Sequence, residues 1–222
     1  MLVIRDASVV NQKLSEEHIC QQAIQIVNNE GLEALSMRKL AAALNVKAAS
    51  LYNHIRNKSD LFDKMQGYLY NQMKPLKHTK NWKSHLTKLA VHTRDGLLQN
   101  PNMLTLFATR PTLSIQALQQ AEQTIGILIN AGFKPSNCLM IYRNLNVFIM
   151  GHTLSEIDLN LAKANQDPPS IRSMNIDQFP LLNKASQFKS NTNQDQGFKK
   201  GLQHVLNGLE LSLTHHNCRD DP

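Results

Sequence analysis

The sequence predicts an all-α fold, and two observations lead to this prediction. Glycine and proline are sparse, at 9 and 8 of 222 residues, so few positions interrupt regular structure. Apolar residues recur at the three- and four-residue spacing of amphipathic helices, whereas the alternation typical of a half-buried strand is scarce. A chain of this length can hold a small domain and a larger one. We expect one domain over residues 1–60 and a second over residues 61–222.

The first element is predicted to be a helix from about Ser15 to Asn29. Apolar side chains at 19, 23, 26 and 27 share one of its faces, and Gly31 ends it. The residues before this helix, which include Arg5, are expected to form a loose arm.

Residues 36–55 predict two short helices joined by a tight turn. Ser36 is a good N-cap for the first of them, and apolar residues at 37, 40, 41 and 44 form its inner stripe. Asn45 follows, and asparagine is one of the few residues besides glycine that tolerate the left-handed backbone of a sharp turn. Leu51 and Ile55 supply the inner stripe of the second helix. This arrangement indicates a helix-turn-helix, whose second helix enters the major groove of DNA.

A cluster of basic residues with no acidic residue among them accompanies this motif. It lies between Glu33 and Asp60 and consists of Arg38, Lys39, Lys47, Arg56 and Lys58. The net charge of the chain is +7, but basic residues are spread over its whole length. The cluster therefore locates a DNA-binding surface better than the total charge does. An ordinary helical hairpin with a solvated basic face is the alternative interpretation.

These residues resemble the signature of the TetR family of bacterial transcriptional repressors. The resemblance covers roughly residues 10–62, and its most specific part is Leu51-Tyr52-x-His54 followed by Asn57-Lys58-x-x-Leu61. It implies a homodimer that binds a palindromic double-stranded DNA operator and releases it when a small-molecule effector binds. The residues expected to contact DNA are Arg38, Lys47, Ala48, Ala49, Ser50, Tyr52, Asn53, His54 and Lys58.

The second domain is predicted to be helical throughout. Asn57, with Asp60 three residues later, predicts a capped helix that runs to about Lys74, where Pro75 stops it. Residues 165–196 predict a polar connection with one short helix near Leu181–Phe188. The other helices are expected at about Trp82–Gln99, Met103–Phe107, Leu113–Ala131, Pro135–Ala164 and Gln196–His215.

The last of these helices has a wide apolar face with glycines beside it. The apolar residues are Phe198, Leu202, Val205, Leu206, Leu209 and Leu213, and the glycines are Gly197, Gly201 and Gly208. An interior glycine destabilises a helix by about 1 kcal/mol relative to alanine, so close approach to another helix is a reason for its presence. The face either covers the chain's own core or packs against a second copy. The family resemblance implies a four-helix bundle between two subunits, and we expect dimerisation through this helix.

The second domain also resembles the tetracycline-repressor-like branch of the family. The resemblance rests on Ala108-Thr-Arg-Pro-Thr, Asn130-Ala-Gly-Phe, Phe148-Ile-Met-Gly-His-Thr-Leu and the segment from Gly201 to Leu213. In that branch the segment Thr109-Arg110-Pro111 borders the drug cavity. The branch's metal-chelating histidine falls on Leu106, however, and the polar positions of the preceding helix fall near Leu89 and Thr93.

We therefore expect an apolar or amphipathic effector that needs no divalent metal. The candidate ligand-binding residues are Thr93, Leu106, Thr109, Arg110, Tyr142 and Asn146. A core or surface role is the alternative for Thr93, Tyr142 and Asn146. For Arg110 a structural salt bridge, for instance to Glu122, is expected to be the main role.

Other classes of protein are disfavoured. The three cysteines, at 20, 138 and 218, are far apart and odd in number, no signal peptide precedes them, and no apolar run approaches a membrane span. These features favour a reduced, cytoplasmic protein without a metal or cofactor, and His215, His216 and Cys218 are expected to be tail residues. No glycine-rich phosphate loop, His-Glu-x-x-His or Gly-x-Ser-x-Gly motif supports an enzyme. An architectural or adaptor protein that binds DNA without an effector remains the alternative.

Overall fold

The computed structural model describes residues 14–73, 79–110, 112–164, 178–187 and 193–217. Within these ranges the chain is helical and contains no strand, so the predicted fold class is confirmed. Short 3-10 turns at Leu32–Ala34 and Pro101–Met103 separate some of the helices. The α-helices are α1 (Glu16–Glu30), α2 (Met37–Ala43), α3 (Ala48–Leu51), α4 (Lys58–Gln72), α5 (Trp82–Gln99), α6 (Leu104–Thr109), α7 (Ile115–Asn130), α8 (Pro135–Ala164), α9 (Pro180–Gln187) and α10 (Gln194–Asn217).

The helix boundaries follow from local capping. Asn45 takes a positive φ of 53° in the turn after α2, and Gly31 takes 87° after α1, as the sequence predicts. Six N-terminal caps are formed by a serine or asparagine side chain that accepts a hydrogen bond from the backbone N–H three residues later. These are Ser15, Ser36, Asn57, Asn81, Ser114 and Asn193. Each cap satisfies an N–H group that the helix itself leaves unpaired.

The second helix of the helix-turn-helix, α3, which we call the recognition helix, is shorter than predicted. We expected a helix that continues to Ile55, but α3 ends at Leu51 and a turn follows. The N–H groups of His54 and Ile55 both donate to the carbonyl of Leu51, each over 2.9 Å, so the regular ladder ends at this carbonyl. Leu51 and Ile55 are nevertheless both fully buried, which confirms the predicted inner stripe.

The N-terminal helices share one hydrophobic core, the first core, whose buried residues come from the segment α1 to α4 and from the segment that follows α5. Leu40 of α2 and Leu61 of α4 pack in it with residues of α1. Met103 and Leu106, which follow α5, are also fully buried there. The first core therefore anchors α6 to the N-terminal helices. The division at residue 60 remains a proposal, and α4 spans it.

A second core lies between α5, α7, α8 and α10. The apolar face of α10 supplies Phe198, Leu202 and Leu206 to this core, and all three are buried. A Cβ on Gly201 would lie 3.1 Å from the ring of Phe148, so this glycine lets α10 approach α8 of the same chain. Part of the predicted dimer face therefore covers the core of its own chain, while Val205, Leu209 and Leu213 are only half-buried. Dimerisation through this helix stays a prediction.

A buried ion pair ties three helices of the second domain together. Arg94 of α5 donates from Nε and Nη2 to the two carboxylate oxygens of Glu156 on α8, over 2.9 and 3.0 Å. Its Nη1 also lies 3.3 Å from Asp195 at the start of α10, and its guanidinium stacks 4.9 Å from the ring of Phe198. The Arg94 and Glu156 side chains are 6% and 9% exposed. A paired arrangement is required here, because isolated charges at this depth are strongly destabilising.

We predict that Glu156→Ala lowers the free energy of unfolding by about 3 kcal/mol, because it leaves the Arg94 guanidinium buried with only partial compensation. Asp195→Ala, which removes a carboxylate that is 45% exposed, should have a smaller effect. Urea denaturation of the full chain measures both. The double variant Arg94→Met/Glu156→Leu should recover most of the loss, and a double variant as unstable as Glu156→Ala would contradict the ion-pair explanation.

Candidate DNA interface and effector site

The predicted DNA-contact residues lie on α2, at the N-cap of α3, on α3, in the turn after α3 and at the first residue of α4. Seven of the nine are exposed, and Ser50 and His54 are half-buried. Tyr52 is 54% exposed although it is aromatic. The buried residues of the same segments, such as Leu40 and Leu51, pack into the first core. The local fold therefore leaves the predicted contact residues available to a ligand as large as DNA.

Two cations of the basic cluster are neutralised within the protein, and three are not. Lys39 pairs with Glu30, and the guanidinium of Arg56 lies 3.1 Å from Asp60. Arg38, Lys47 and Lys58 have no ion-pair partner among the residues that the structure describes. The Nζ atom of Lys58 lies 5.5 Å from the ring of Phe62. These three cations remain available for phosphate groups, and Lys58 also lies at the N-terminus of a helix, which attracts anions.

Asp60 fixes the chain between the recognition helix and α4. Its Oδ2 accepts from the backbone N–H of Arg56 over 2.8 Å, and its own N–H donates to Asn57 over 2.9 Å. Burial raises the pKa of Asp60, but the backbone N–H and the guanidinium of Arg56 outweigh this effect, so the pKa lies below its ordinary value. The carboxylate is therefore ionised at neutral pH and ties Arg56, in the turn after α3, to the first turn of α4.

Two of the six candidate ligand residues, Tyr142 and Asn146, lie together in the second domain. With Tyr70 of α4 and Gln120 of α7 they form a group that we call the polar seam. The Tyr70 hydroxyl donates to Gln120 Oε1 over 2.7 Å and is hydrogen-bonded to the Tyr142 hydroxyl. Asn146 Nδ2 donates to the Tyr142 carbonyl over 2.9 Å. Burial raises the pKa of both tyrosines.

The described contacts do not join the other four candidates to the polar seam. Leu106 is 1% exposed and packs in the first core. Thr93 is buried on α5, and the hydroxyl of exposed Thr109 donates to the Thr105 carbonyl. Arg110 forms a salt bridge, as expected, but its partner is different. The side chains it contacts are Asp63, at 3.0 Å, and Ser59, at 2.6 Å, because α6 packs against α4 and Glu122 lies on exposed surface of α7.

The position expected to carry a metal-chelating histidine does not fit a metal. Leu106 offers no ligand atom and is enclosed by apolar side chains. Within the described ranges, no three His, Cys, Asp or Glu side chains come together closely enough to hold a metal ion. Pro111, Cys218 and most of the polar connection over 165–196 lie outside the described residues. Among the helices that are described, none is both long and apolar enough to cross a bilayer.

A cavity of about 370 Å³ lies between the last turn of α4, α5 and Phe107. Sequence reasoning missed it, and none of the six candidate ligand residues lines it. Gly96 forms part of its wall, where a Cβ would come within 2.3 Å of the flexible end of the Met73 side chain. The residues that line it are Leu69, Gln72, Met73, His92, Asp95, Gly96, Leu97, Gln99, Asn100 and Phe107.

Several known proteins are similar to this chain over most of its length. The tetracycline repressor protein class E from Escherichia coli is 29% identical over 207 residues, which cover 90% of this chain and 93% of that protein. The crystal structure of apo ActR from Streptomyces coelicolor superposes with a TM-score of 0.77 at 24% identity and covers 91% of this chain and 98% of that one. ActR in complex with actinorhodin gives 0.75 at 22% identity, with 90% and 99% covered.

Two family descriptions match the chain. "Bacterial regulatory proteins, tetR family" matches residues 19–65, which contain the helix-turn-helix and the first half of α4. "Tetracyclin repressor-like, C-terminal domain" matches residues 74–213, which contain the helices of the second core. The second match alone spans more than half of the chain. The chain therefore belongs to the TetR family of DNA-binding transcriptional regulators.

Proposed function

We propose that the chain is a homodimeric repressor that binds a palindromic DNA operator and leaves it when a small molecule binds in the second domain. The observation that carries the proposal is the exposed helix-turn-helix, on which Arg38, Lys47 and Lys58 have no ion-pair partner among the described residues. Selection of binding sites from random double-stranded DNA tests it directly. Enrichment of two inverted half-sites with centres about 34–36 Å apart is expected, since two recognition helices then enter successive major grooves.

The residues around the start of α3 are assigned to base readout. Lys47 is long enough to reach the guanine acceptors O6 and N7, while Ala48 and Ala49 leave room for thymine methyl groups. Ser50 and Asn53 contact base edges or the sugar-phosphate backbone. Phosphate contacts are assigned to Tyr52, His54 and Lys58, together with Arg38, which approaches from the start of α2.

An exposed apolar stripe on α8 supports the homodimer. Met140, Val147 and Leu154 are spaced by seven residues, which places them on one face of the helix. Their exposed fractions are 54%, 71% and 50%, although all three are large and apolar. Leu211 of α10 is 60% exposed as well. A second copy of the chain is the occupant we propose, since the same stripe on two copies is self-complementary across a two-fold axis.

Coupling between the two domains rests on α6. Because Met103 and Leu106 are buried in the first core, a shift of α6 moves the N-terminal helices as a unit. A small change in the separation of two recognition helices is enough to lose specific binding to a fixed operator. The complex of ActR with actinorhodin supports a small organic molecule as the effector, because this chain is similar in fold to that protein.

We predict different consequences for two lysine substitutions in the DNA surface. Lys47→Ala should relax base preference at one position of each half-site by about 1–3 kcal/mol. Lys58→Ala should weaken binding to all sequences alike and reduce the slope of log affinity against log salt by about one. Operator titrations over a range of salt concentrations measure both effects. The opposite pattern would contradict this division between base and phosphate contacts.

For the dimer, Val147→Glu should give monomers, because two copies of the α8 stripe would then bring like charges into an apolar contact. Leu118→Glu is the matched control, since Leu118 is a similarly exposed leucine on α7 at 52%. Sedimentation velocity should show a dimer for the control and monomers for Val147→Glu. A stable Val147→Glu dimer would place the interface elsewhere.

The effector should bind without a divalent metal. Titration of the chain with tetracycline and magnesium should show no binding that chelation abolishes, because Leu106 supplies no metal ligand. Calorimetry with and without EDTA measures this. Tight binding that EDTA abolishes would overturn the prediction.

A thermal-shift screen identifies small molecules that bind the chain, and an operator-binding assay then shows whether they release DNA. If none of them did, the proposal of an effector-independent DNA-binding protein would replace that of a ligand-responsive one.

A further inference from the structure

Gln66 of α4 is a fully buried polar side chain that neither DNA binding nor dimerisation uses. Its exposed fraction is 0%. Its Nε2 donates to the carbonyls of Leu106 and Arg110, over 3.3 and 3.4 Å. Its Oε1 has no hydrogen-bond partner among the described residues. A buried acceptor without a partner is destabilising, and such a group in a folded protein indicates a function more often than an accident.

A complementary unpaired donor belongs to Gln120, the hydrogen-bond partner of Tyr70. Gln120 of α7 accepts from Tyr70 through Oε1, and its Nε2 is buried without a partner among the described residues. Gln66 and Tyr70 are four residues apart on α4, so their side chains are neighbours on one face of the helix. One unpaired acceptor therefore lies one helical turn before Tyr70, and one unpaired donor belongs to the side chain that accepts from the Tyr70 hydroxyl.

The groups that the polar seam presents are uncharged. Tyr70 and Tyr142 keep their protons at neutral pH, because burial raises the pKa of each. The remaining members, Gln120 and Asn146, and the adjacent Gln66 are amides, which do not ionise. Nothing in this set compensates the desolvation of an ionised ligand, which favours a neutral one.

We propose that Gln66 and Gln120, together with the hydroxyls of the polar seam, bind the effector through a neutral group that combines an N–H or O–H donor with a carbonyl acceptor, as a primary carboxamide does. The donor bonds to Gln66 Oε1 and the carbonyl accepts from Gln120 Nε2. This inference rests on the proposed function, since it names the chemical class of the effector. It also assigns Gln66 a specificity-determining role.

Gln66 is connected to the DNA-binding helices through its other end. Its Nε2 donates to the carbonyl of Leu106, within α6, and to the carbonyl of Arg110, directly after α6. Leu106 packs in the first core with α1 and α4. A ligand that draws Gln66 towards itself weakens the two long hydrogen bonds to α6, and α6 is the element that is anchored to the N-terminal helices. Gln66 is thus also a positioning residue for the DNA-binding domain.

Three naphthalene derivatives of similar shape test the proposal on the full chain. Naphthalene-2-carboxamide has both donor and acceptor, 2-acetylnaphthalene has the acceptor alone, and naphthalene-2-carboxylate is an anion. Calorimetric titration should rank the carboxamide about tenfold tighter than the ketone, as expected for one additional buried hydrogen bond, and the anion weakest. Failure of the carboxamide to bind at its solubility limit, or equal affinity for the carboxamide and the ketone, would overturn the proposal.

Two variants of the same chemical type separate a specific role of Gln66 from a structural one. Gln66→Met should reduce the carboxamide-to-ketone preference from about tenfold to about twofold or less, since the acceptor is gone. Gln72→Met, a change on an exposed position of the same helix, should keep the full preference. Gln120→Met, which removes the donor to the carbonyl, should weaken the carboxamide and the ketone alike. An unchanged preference in folded Gln66→Met would contradict the inference.

The proposed function and this inference fail independently of each other. If no inverted repeat is selected but the naphthalenes rank as predicted, the proposal of a repressor is refuted and the proposed ligand class stands. Correct operator selection with the wrong ranking would refute only the ligand class. If Gln66→Met does not fold, as judged by circular dichroism, the ranking in the unmodified chain and in Gln120→Met decides the question.

Discussion

The insertion of Met103 and Leu106 into the N-terminal core is the contact that joins the second half of this protein to its DNA-binding helices. Both residues belong to the segment that follows α5, yet they are fully buried among side chains of α1 and α4. Asn28 at the end of α1 reinforces the junction, since its side chain donates to Asn100 over 3.0 Å and its carbonyl accepts from Asn102 over 2.8 Å. A close-packed junction of this kind transmits displacement instead of absorbing it. The DNA-binding helices and α6 therefore pack as one unit.

Much of the DNA-binding half was predictable because its signals are local. The serine cap at Ser36, the left-handed Asn45 and the Asn57–Asp60 cap each depend on residues within a few positions in the sequence. The buried stripe of Leu51 and Ile55 also follows from helical spacing, although the length of α3 did not. A helix end is decided by competing hydrogen bonds, as with the shared carbonyl of Leu51, and composition does not resolve these.

The second half was less predictable because its contacts join distant parts of the sequence. The sequence pattern of the apolar face of α10 is the same whether the face covers its own core or a partner. Only the structure shows that Gly201 faces Phe148 of the same chain. The Arg110 side chain is equally able to pair with Glu122 or Asp63, and the packing of α6 on α4 selects Asp63. We assigned Leu106 to the ligand site from its distance to Thr109 in the sequence, which does not show that the side chain is buried. Gln66 was overlooked because a glutamine in a helix carries no signal until its burial is known.

The ion pair of Arg94 has a consequence for how this protein tolerates change in length. The start of α10 is held to α5 by Asp195 and Phe198, and so α10 is positioned by side-chain contacts and not by the chain that leads to it. The entropy of closing a flexible loop grows only slowly, by about 0.6 kcal/mol for each doubling of its length. Related proteins that differ in length ahead of α10 are thus expected to keep the register of α10 on α5.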